Sequence, residues 1–373
     1  MTGSRCLAVV TGGGTSGHVL PALAIVEALV EAGVPLGRLH YVGTSRGVET
    51  RLVPPTGIGH DLLDVSGLQR SLSRRNLALP VRLARSVRAA GRILDELRPG
   101  VVVNVGGYAS FPATWAARRR RIPYVVVSYD SRPGLVSRLM ARRAAACAVA
   151  FPGSTLPHAV LTGAPVRRSV VHLDRSAERA AARLALGVPA DRFLVGVVGG
   201  SLGAGAVNTV VTEVVRRWAD RRDLAVYHVV GERNLATADA PRDGSEGILY
   251  LVKGYEDRIE QLYAAADLMV TRAGAGTIAE LATAGVPAVV VPWPDAAENH
   301  QVGNARLLAD VGGAVMVEQH DLTADRLAAE VERFLAQPQA LAALAAAACA
   351  AGAAHRGSAL VDLVLRVAGE SGQ

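Results

Sequence analysis

Three glycine-rich segments follow apolar runs and are candidates for binding phosphate. They read TGGGTSGH (11–18), NVGGYASFP (104–112) and VVGGSLGAGAVN (197–208). Glycine allows backbone amides to approach a ligand without an intervening Cβ, and amides at the start of a helix attract anions. The second predicted strand does not end in the acidic residue that a dinucleotide site uses, and the GKS or GKT of a Walker loop is absent. One such turn is often purely structural, but three that each follow a predicted strand indicate a phosphate-bearing ligand.

His18 ends the first of these segments, at the point where an amphipathic helix is predicted to begin. An imidazole in that position could exchange a proton with a bound substrate, which is the chemistry of a general base. An isolated histidine is more often a structural residue, so both interpretations remain open at this point.

A further polar cluster lies in TRAGAGTIAELATAGVPAVVVPWPDAAENHQVGNA (271–305). A helix is predicted from about Thr277 with Glu280 in its first turn, where a carboxylate either caps backbone amides or accepts hydrogen bonds from a ribose diol. After the next strand come three polar residues at spacings i, i+1 and i+4: His300, Gln301 and Asn304. They form either a solvated helix face or part of a ligand site at the end of that strand.

Short β-branched runs alternate with helical patterns along the whole chain. The predicted strands are 7–12, 39–44, 101–105, 124–128 and 146–150, followed after about Pro165 by 193–200, 224–231, 248–254, 267–272 and 287–293. This alternation predicts parallel sheets with crossover helices, and the second series predicts a second unit of the same kind. Because doubly wound sheets bind ligands at the carboxyl ends of their strands, we expect a ligand cleft between the two units.

Length and composition restrict the class of protein. A chain of 373 residues, half of them apolar, is expected to form two domains. Its three cysteines show no metal-ligand spacing and no disulfide framework, which favours a reducing compartment. Neither a signal peptide nor an apolar run of about 18 residues is visible, so we expect a cytoplasmic protein.

Positive charge is concentrated in the first half of the chain. Residues 1–170 hold 22 arginines against 8 acidic residues, whereas the remainder holds 18 basic residues against 25 acidic ones. Eight arginines lie among leucines and valines between 68 and 98: Arg70, Arg74, Arg75, Arg82, Arg85, Arg88, Arg92 and Arg98. A second basic cluster, Arg118–Arg121, follows Trp115. The pattern fits either a solvated helix face or a surface for an anionic membrane leaflet, and no recognised motif accompanies it that would favour nucleic acid.

Together these segments resemble the MurG family, the bacterial N-acetylglucosaminyltransferases of glycosyltransferase family 28 that complete the lipid-linked peptidoglycan precursor. The motifs that carry the resemblance are, in order, GGGTSGHVLPALA, GTSRGVE, VGGYASFPA, TGAPVR, GGSLGA, RAGAGTIAE and HQVGNA. They extend from about residue 7 to residue 320 and are specific as a combination.

The resemblance implies an α/β fold of the GT-B type, in which two Rossmann-like doubly wound domains face a central cleft. It implies an acceptor- and membrane-binding domain over 1–165 and a UDP-GlcNAc-binding domain over 166–344. A C-terminal helix at about 345–370 is expected to pack back on the first domain.

The implied reaction is an inverting, metal-independent transfer of GlcNAc from UDP-GlcNAc to undecaprenyl-diphosphate-muramyl-pentapeptide. No cofactor is expected, and the absence of a D-x-D triplet agrees with a site that binds no metal. The expected partners are UDP-GlcNAc, the lipid-linked muramyl-peptide acceptor and the anionic membrane leaflet, with no nucleic acid. The expected location is the cytoplasmic face of the cell membrane, as a peripheral protein.

Residue by residue, the resemblance assigns most donor contacts to the second domain. Arg167 matches an arginine that contacts the diphosphate, Glu280 matches the glutamate that holds the ribose, and the backbone near Glu256 matches the segment that reads uracil. The other implied donor contacts are Ser201, Ala275, Gly276, Thr277, Ile278, Ala279, Gln301 and Asn304.

On the first domain the resemblance implies that the start of the first helix closes over the donor. The residues concerned are Thr15, Ser16 and Gly17. His18 and Tyr108 are expected to face the acceptor. Two departures from the family pattern are Ser16, where a glycine is usual, and Ala164, where TGNPVR has asparagine.

The largest departure is VSYDSRPG (127–134), where the family has HEQN-x-x-PG. Asp130 then occupies the asparagine position and Ser128 the glutamate position. An inverting displacement needs a base within hydrogen-bond reach of the attacking hydroxyl, for which we name His18 and Asp130 as candidates. An Asx-turn before Pro133 is the structural alternative for Asp130.

Two other functions remain open on the sequence. The first is a related glycosyltransferase that acts on another lipid or antibiotic acceptor, which the departure at 127–134 favours. The second is a non-catalytic subunit that binds a sugar nucleotide or recruits lipid, which the complete pair of domains disfavours.

Overall fold

The computed structural model describes residues 5–65, 79–200 and 204–370. It divides into two compact units: unit 1 comprises the residues up to Arg168 together with those from Ala354 onward, and unit 2 comprises Ser169–Ala353.

Unit 1 is built on a sheet of seven parallel strands in the order β3-β2-β1-β4-β5-β6-β7. The strands are β1 (Ala8–Thr11), β2 (Leu39–Thr44), β3 (Gly59–Leu63), β4 (Val101–Asn104), β5 (Tyr124–Ser128), β6 (Ala146–Val149) and β7 (Ala159–Leu161). The central strands are short β-branched runs that are buried throughout, as expected of a parallel sheet covered by helices.

The helices of this part of the chain follow the strands as crossover connections. They are α1 (Ser16–Glu31), α2 (Glu49–Leu52), α3 (Leu79–Leu97), α4 (Phe111–Arg120) and α5 (Leu135–Ala141); the single turn α6 (Arg168–Val171) begins at the last residue of this segment and continues into unit 2. Each long helix covers the sheet with an apolar face, for example through Ala90 and Leu94 of α3. Strand order reverses between β1 and β4, which is where ligands of doubly wound sheets bind.

Unit 2 repeats the architecture with a seven-stranded sheet in the order β10-β11-β9-β8-β12-β13-β14, parallel except for the edge pair β10–β11. Its strands are β8 (Phe193–Val198), β9 (Leu224–Val229), β10 (Arg242–Asp243), β11 (Leu249–Lys253), β12 (Leu268–Thr271), β13 (Ala288–Val290) and β14 (Val315–Met316). Its helices are α7 (Arg175–Leu186), α8 (Gly205–Arg217), α9 (Ile259–Ala265), α10 (Ala275–Ala284), α11 (His300–Ala309), α12 (Ala324–Ala336) and α13 (Pro338–Ala351).

Two features fix α7 at the start of unit 2. The side chain of Asp174 caps the helix by accepting from the amides of Ser176 and Ala177. The guanidinium of Arg175 donates to the carbonyls of Tyr263, Gly285 and Ala266, which ties α7 to α9 and to the end of α10. Burial, followed by the positive charge of Arg179, lowers the pKa of Arg175 to about 10.

The end of the chain differs from the expectation of one helix at about 345–370. The structure has α13, which belongs to unit 2, and a separate helix α14 (Ala359–Ala368), which packs on β4 and β5 of unit 1. The break begins at Gly352, where a Cβ would lie 2.2 Å from the carbonyl oxygen of Ala282. The alanine-rich helix α13 therefore ends at a glycine, because only glycine lets the backbone at position 352 approach the backbone of Ala282 this closely.

The expected α/β class with two doubly wound parallel sheets is confirmed, and each of the ten predicted strands contains an observed one. The four strands that the sequence did not predict, β3, β7, β10 and β14, lie outermost in the sheets. Among the described residues no single helix is long and apolar enough to span a membrane; α12 and α13 meet that test only as a pair bent by 100°.

Candidate active site

The first and second glycine segments lie side by side in unit 1. β1 pairs in parallel with β4, so the loops after these two strands leave the sheet at the same edge. Gly107 has a φ of +76°, and a Cβ there would lie 2.2 Å from the carbonyl oxygen of Gly13. Glycine is therefore required for the two loops to approach each other. Both segments therefore occupy one rim of the sheet.

A buried glutamate that the sequence analysis did not single out holds the first glycine loop. Glu49 is fully buried, and its Oε1 accepts hydrogen bonds from the amides of Gly14 (2.8 Å) and Thr44 (3.3 Å). Its other oxygen, Oε2, has no hydrogen-bond partner in the described part of the chain. In the sequence, Glu49 is the last residue of the motif GTSRGVE (43–49), which was the available signal for it. The motif begins on β2, and β2 lies next to β1 in the sheet.

Two tyrosines lie beside this carboxylate and the glycine loop. The hydroxyl of Tyr41 donates to the carbonyl of Gly12 over 2.6 Å. The ring of Tyr108 packs on Gly14, where a Cβ would lie 2.4 Å from the ring. Burial, and after it the negative charge of Glu49, raises the pKa of both tyrosines. The hydroxyl of Tyr108 therefore stays protonated, and its ring lies next to the first glycine loop.

The predicted residues at the start of α1 form its first turn. Thr15 is the N-cap residue, with extended backbone angles, and its carbonyl accepts from the amides of His18 and Val19. Thr15 and Gly17 are exposed, whereas Ser16 is half-buried. The first turn of a helix presents amides that have no intrahelical acceptor, so this turn can face an anion.

His18 lies in the first turn of α1 against the second glycine loop. A Cβ at Gly106 would lie 3.3 Å from the imidazole, and one at Gly107 would lie 2.8 Å from it. The Nδ1 atom of His18 is 3.0 Å from the hydroxyl of Tyr129, and the two rings meet edge-on. The half-buried imidazole is therefore fixed between a glycine loop and a tyrosine.

Asp130, the other candidate base, directly follows Tyr129 on the bend after β5 and is half-buried. Burial, and after it the charge of Asp130, raises the pKa of the Tyr129 hydroxyl well above its usual value. The structure thus brings both candidate bases to the surroundings of one tyrosine, which the sequence analysis did not name as a site residue.

Arg167 is half-buried and lies one residue before the end of the first segment of unit 1. The next residue, Arg168, is held in place by α1. The amide of Arg168 donates to Glu27 over 3.0 Å, and its guanidinium forms an ion pair with Glu31, so the end of α1 holds this segment. Upstream, the amide of Ala164, which replaces the asparagine of the family pattern, donates to Nδ1 of His355 over 3.1 Å.

In unit 2 the loop before α10 ends at Gly274, which is the N-cap of that helix. α10 begins at Ala275, two residues before the predicted start at Thr277. The amides of Ala275, Gly276 and Thr277 belong to its first turn and have no intrahelical acceptor, and this turn contains no acidic residue.

The implied donor segment 275–279 is therefore not uniform. Ile278 already donates its amide to the carbonyl of Gly274, and the side chains of Ile278 and Ala279 are buried in the core. Only the first three amides of the segment lack an intrahelical acceptor and can face an anion.

Glu280 lies in the second turn of α10 and not, as predicted, in the first. Its Oε2 accepts a hydrogen bond of 2.9 Å from the hydroxyl of Tyr263 on α9. The carboxylate is half-buried and oriented by this contact. Tyr263 is a supporting residue that the sequence analysis missed, and α9 is itself tied to α7 through Arg175.

Two of the predicted polar residues on α11 hold neighbouring backbone. Gln301 accepts from the amide of Trp293 over 2.9 Å through Oε1. Asn304 is almost completely buried and donates to the carbonyl of Ala273 over 3.2 Å, so it fixes the loop before α10.

Arg272, which the sequence analysis also missed, is buried in that same loop. It donates to the carbonyl of Val291 (3.2 Å) and to the side-chain oxygen of Gln319 (2.6 Å). Burial lowers its pKa. Its hydrogen-bond partners are neutral groups, so the loop carries a buried positive charge.

The side chain of Glu256 is occupied by its neighbours. It accepts from the hydroxyl of Tyr227, from Lys253 (3.0 Å) and from the amide of Arg258 (3.0 Å). Burial opposes ionisation, but these hydrogen bonds outweigh it and hold the pKa of Glu256 below its usual range. The carboxylate of Glu256 is therefore engaged by side chains and backbone of unit 2.

Ser201 and the arginines Arg70, Arg74 and Arg75 lie outside the described residues. Within the described ranges, no group of three or more histidine, cysteine, aspartate or glutamate side chains could hold a metal ion.

The described arginines of the basic segment share one helix. Arg82, Arg85, Arg88 and Arg92 are exposed on α3, and α3 packs against α4. On α4, Trp115 stacks on Phe111, and the guanidinium of Arg118 lies 4.9 Å from the Trp115 ring. The neighbouring helix α5 exposes Leu135 and Leu139. This part of unit 1 is therefore a basic surface with exposed apolar side chains.

Two doubly wound sheets, each with a glycine-lined carboxyl edge and the second with a carboxylate on the following helix, are the elements of a GT-B fold. Models of the two domains of glycosyltransferase family 28 match the chain, the N-terminal domain over residues 8–149 and the C-terminal domain over 194–360. The chain belongs to glycosyltransferase family 28.

Its relatives include proteins named UDP-N-acetylglucosamine–N-acetylmuramyl-(pentapeptide) pyrophosphoryl-undecaprenol N-acetylglucosamine transferase. The one from Acidothermus cellulolyticus is 40% identical over 362 residues, which cover 96% of this chain and 97% of the relative. The one from Clavibacter michiganensis is 41% identical, with 95% of each protein covered. The crystal structure of Acinetobacter baumannii MurG matches with a TM-score of 0.70 and 27% identity over 98% of this chain and 99% of that one.

Proposed function

We propose that this chain transfers GlcNAc from UDP-GlcNAc to the undecaprenyl-diphosphate-linked muramyl-pentapeptide, the reaction named for its relatives. The observation that carries the proposal is the identity of about 40% with proteins of that name over nearly the full length of the chain. Both units are covered by the match, so it includes the residues assigned to the donor and those assigned to the acceptor.

Donor binding is assigned to the carboxyl edge of the sheet in unit 2. Glu280, oriented by Tyr263, accepts hydrogen bonds from the ribose hydroxyls. The first-turn amides of α10 face the diphosphate, and Gln301 contacts the sugar. Asn304 acts through the loop that it holds at Ala273.

The chemical step needs charge stabilisation on the leaving group and a base for the acceptor hydroxyl. Negative charge that develops on the departing UDP is stabilised by the amides of α10 and by Arg167, with no metal required. His18 takes the proton of the acceptor hydroxyl in a displacement that inverts the anomeric centre. Tyr108 and the first turn of α1 border the same loop.

The acceptor is lipid-linked, so we assign the basic surface of α3–α5 to an anionic membrane leaflet. Each arginine near such a surface contributes about 1 kcal/mol, and exposed leucines add apolar contact. We accordingly place the protein at the cytoplasmic face of the membrane as a peripheral protein.

The test is an assay of the purified chain with UDP-GlcNAc and a short-chain lipid-linked muramyl-pentapeptide. We expect GlcNAc transfer with inversion, and His18→Gln is expected to slow it by about 100-fold. Lack of transfer by the chain alone would favour a non-catalytic subunit and overturn the proposal.

A related glycosyltransferase with another acceptor is the second candidate, because VSYDSRPG replaces the acceptor-side motif of the family. It is favoured if UDP-GlcNAc is used with other lipid glycosides while the muramyl-pentapeptide lipid is refused.

A further inference from the structure

The hydroxyl of Tyr129 makes two short contacts, one with a backbone carbonyl and one with a histidine. It lies 2.5 Å from the carbonyl oxygen of Gly17 and 3.0 Å from Nδ1 of His18. Tyr129 is only 4% exposed, so water does not compete for these contacts. Its position in the sequence is one at which this chain departs from the family pattern.

The two contacts determine which atom supplies each proton. A tyrosine hydroxyl has one hydrogen, and a carbonyl oxygen can only accept. If that hydrogen pointed at His18, two oxygens without a hydrogen between them would stand 2.5 Å apart. The hydrogen of Tyr129 therefore goes to Gly17, and the hydroxyl oxygen accepts a hydrogen from Nδ1 of His18.

The sequence of α1 explains why the carbonyl of Gly17 needs this donor. Its helical partner four residues on is Pro21, which has no N–H and whose ring crowds that carbonyl. That carbonyl therefore lacks its helical donor and accepts from Tyr129 instead. The proline thus commits the hydrogen of Tyr129 to the helix, and the ionisation that would remove this hydrogen is opposed by burial, which raises the pKa of Tyr129.

We propose that Tyr129 is a positioning residue that holds neutral His18 in the Nδ1–H tautomer, so that Nε2 is the basic nitrogen of the ring. A hydrogen bond to one ring nitrogen sets the protonation of the other, and the tautomer decides which nitrogen can take a proton from a substrate. This inference rests on the proposed role of His18 as the base, and it adds that Nε2 is the atom that accepts the proton.

The test compares two tyrosines of the same segment. Tyr129→Phe keeps the buried ring and removes the hydroxyl. Tyr124→Phe is the matched control, since Tyr124 is also buried and donates to a carbonyl, that of Met140, over 2.8 Å without contacting His18.

Nitrogen NMR of the protein labelled in its nine histidines reports the tautomer directly, with His18 assigned by its absence from the spectrum of His18→Gln. In the native chain and in Tyr124→Phe we expect the Nδ1–H form. In Tyr129→Phe we expect a shift toward the Nε2–H form and a kcat about 10- to 100-fold lower at unchanged KM for UDP-GlcNAc.

An unchanged tautomer in Tyr129→Phe would overturn the inference, and so would an equal loss of kcat in the two variants. The proposed function fails on a different result, namely lack of transfer to the muramyl-pentapeptide lipid by the native chain. The tautomer measurement needs no substrate and therefore separates the two failures.

Discussion

The amide of Gly14 donates to Oε1 of Glu49 over 2.8 Å, which joins the first glycine loop to a fully buried carboxylate 35 residues further along the chain. The same oxygen accepts from Thr44 at the end of β2. The loop next to His18 thus has a fixed conformation because a carboxylate at the start of α2 supplies the acceptor.

Glu49→Ala should remove this acceptor and leave the half-buried amide of Gly14 and the buried amide of Thr44 without a partner. We expect a loss of about 3 kcal/mol in the free energy of unfolding, measured by urea denaturation, and a lower kcat/KM. Glu96→Ala on the exposed side of α3 is the control and should change neither quantity by a measurable amount. Equal stability of the two variants would show that the glycine loop does not depend on Glu49.

Glu280→Ala should weaken donor binding because the ribose hydroxyls lose their acceptor. We expect the KM for UDP-GlcNAc to rise by about 10- to 100-fold and the calorimetric affinity for UDP to fall by a similar factor. Tyr263→Phe removes only the hydrogen bond that orients the carboxylate and should have a smaller effect in the same direction. Exposed Glu332→Ala on α12 is the control, and unchanged UDP affinity in Glu280→Ala would refute the ribose assignment.

Charge reversal on α3 should release the protein from anionic membranes. Arg85→Glu with Arg88→Glu changes the charge of an exposed helix face by four units, so cosedimentation with vesicles that contain anionic lipid should fall by at least about 10-fold. Arg216→Glu with Arg217→Glu on α8 makes the same change in unit 2 and serves as the control. Equal binding by both double variants would contradict the assignment of this surface.

Stability should decline as the pH falls from about 6.5 toward 4, partly because of His355. Burial, followed by the charge of Arg356, lowers the pKa of folded His355 to about 4, so the unfolded chain binds more protons in this interval. At pH 5 the free energy of unfolding should be about 2 kcal/mol lower than above pH 6.5 because of this histidine alone. Urea denaturation at pH 7.5 and pH 5 measures the difference.

His355→Asn keeps an acceptor for the amide of Ala164 and removes the titration, so the loss of stability between pH 7.5 and pH 5 should become smaller. His158→Asn replaces an exposed histidine and should lose as much stability between pH 7.5 and pH 5 as the native chain does. A loss as large in His355→Asn as in the native chain would rule out this contribution. His228, whose pKa burial also lowers to about 4, accounts for part of what remains.

The sequence by itself determined the class of fold. Buried parallel strands are continuous β-branched runs, and ten of them could be located because such runs occur rarely outside sheets. The outermost strands could not be located, since an edge strand such as β7 is only three residues long and is exposed at each of them. The ends of helices were also imprecise: α10 begins two residues early, which moved Glu280 out of the first turn.

The sequence also determined which residues are candidates for the site, because glycine segments, a histidine and a glutamate in ordered motifs identify the family. It could not determine what holds them. Tyr129 contacts His18 across 111 residues, and Tyr263 contacts Glu280 from a different helix. Such contacts depend on which strands lie side by side, and strand order comes from packing the sheet rather than from any local pattern. Only the tertiary structure therefore shows that Tyr129 contacts His18 and that Tyr263 orients the carboxylate of Glu280.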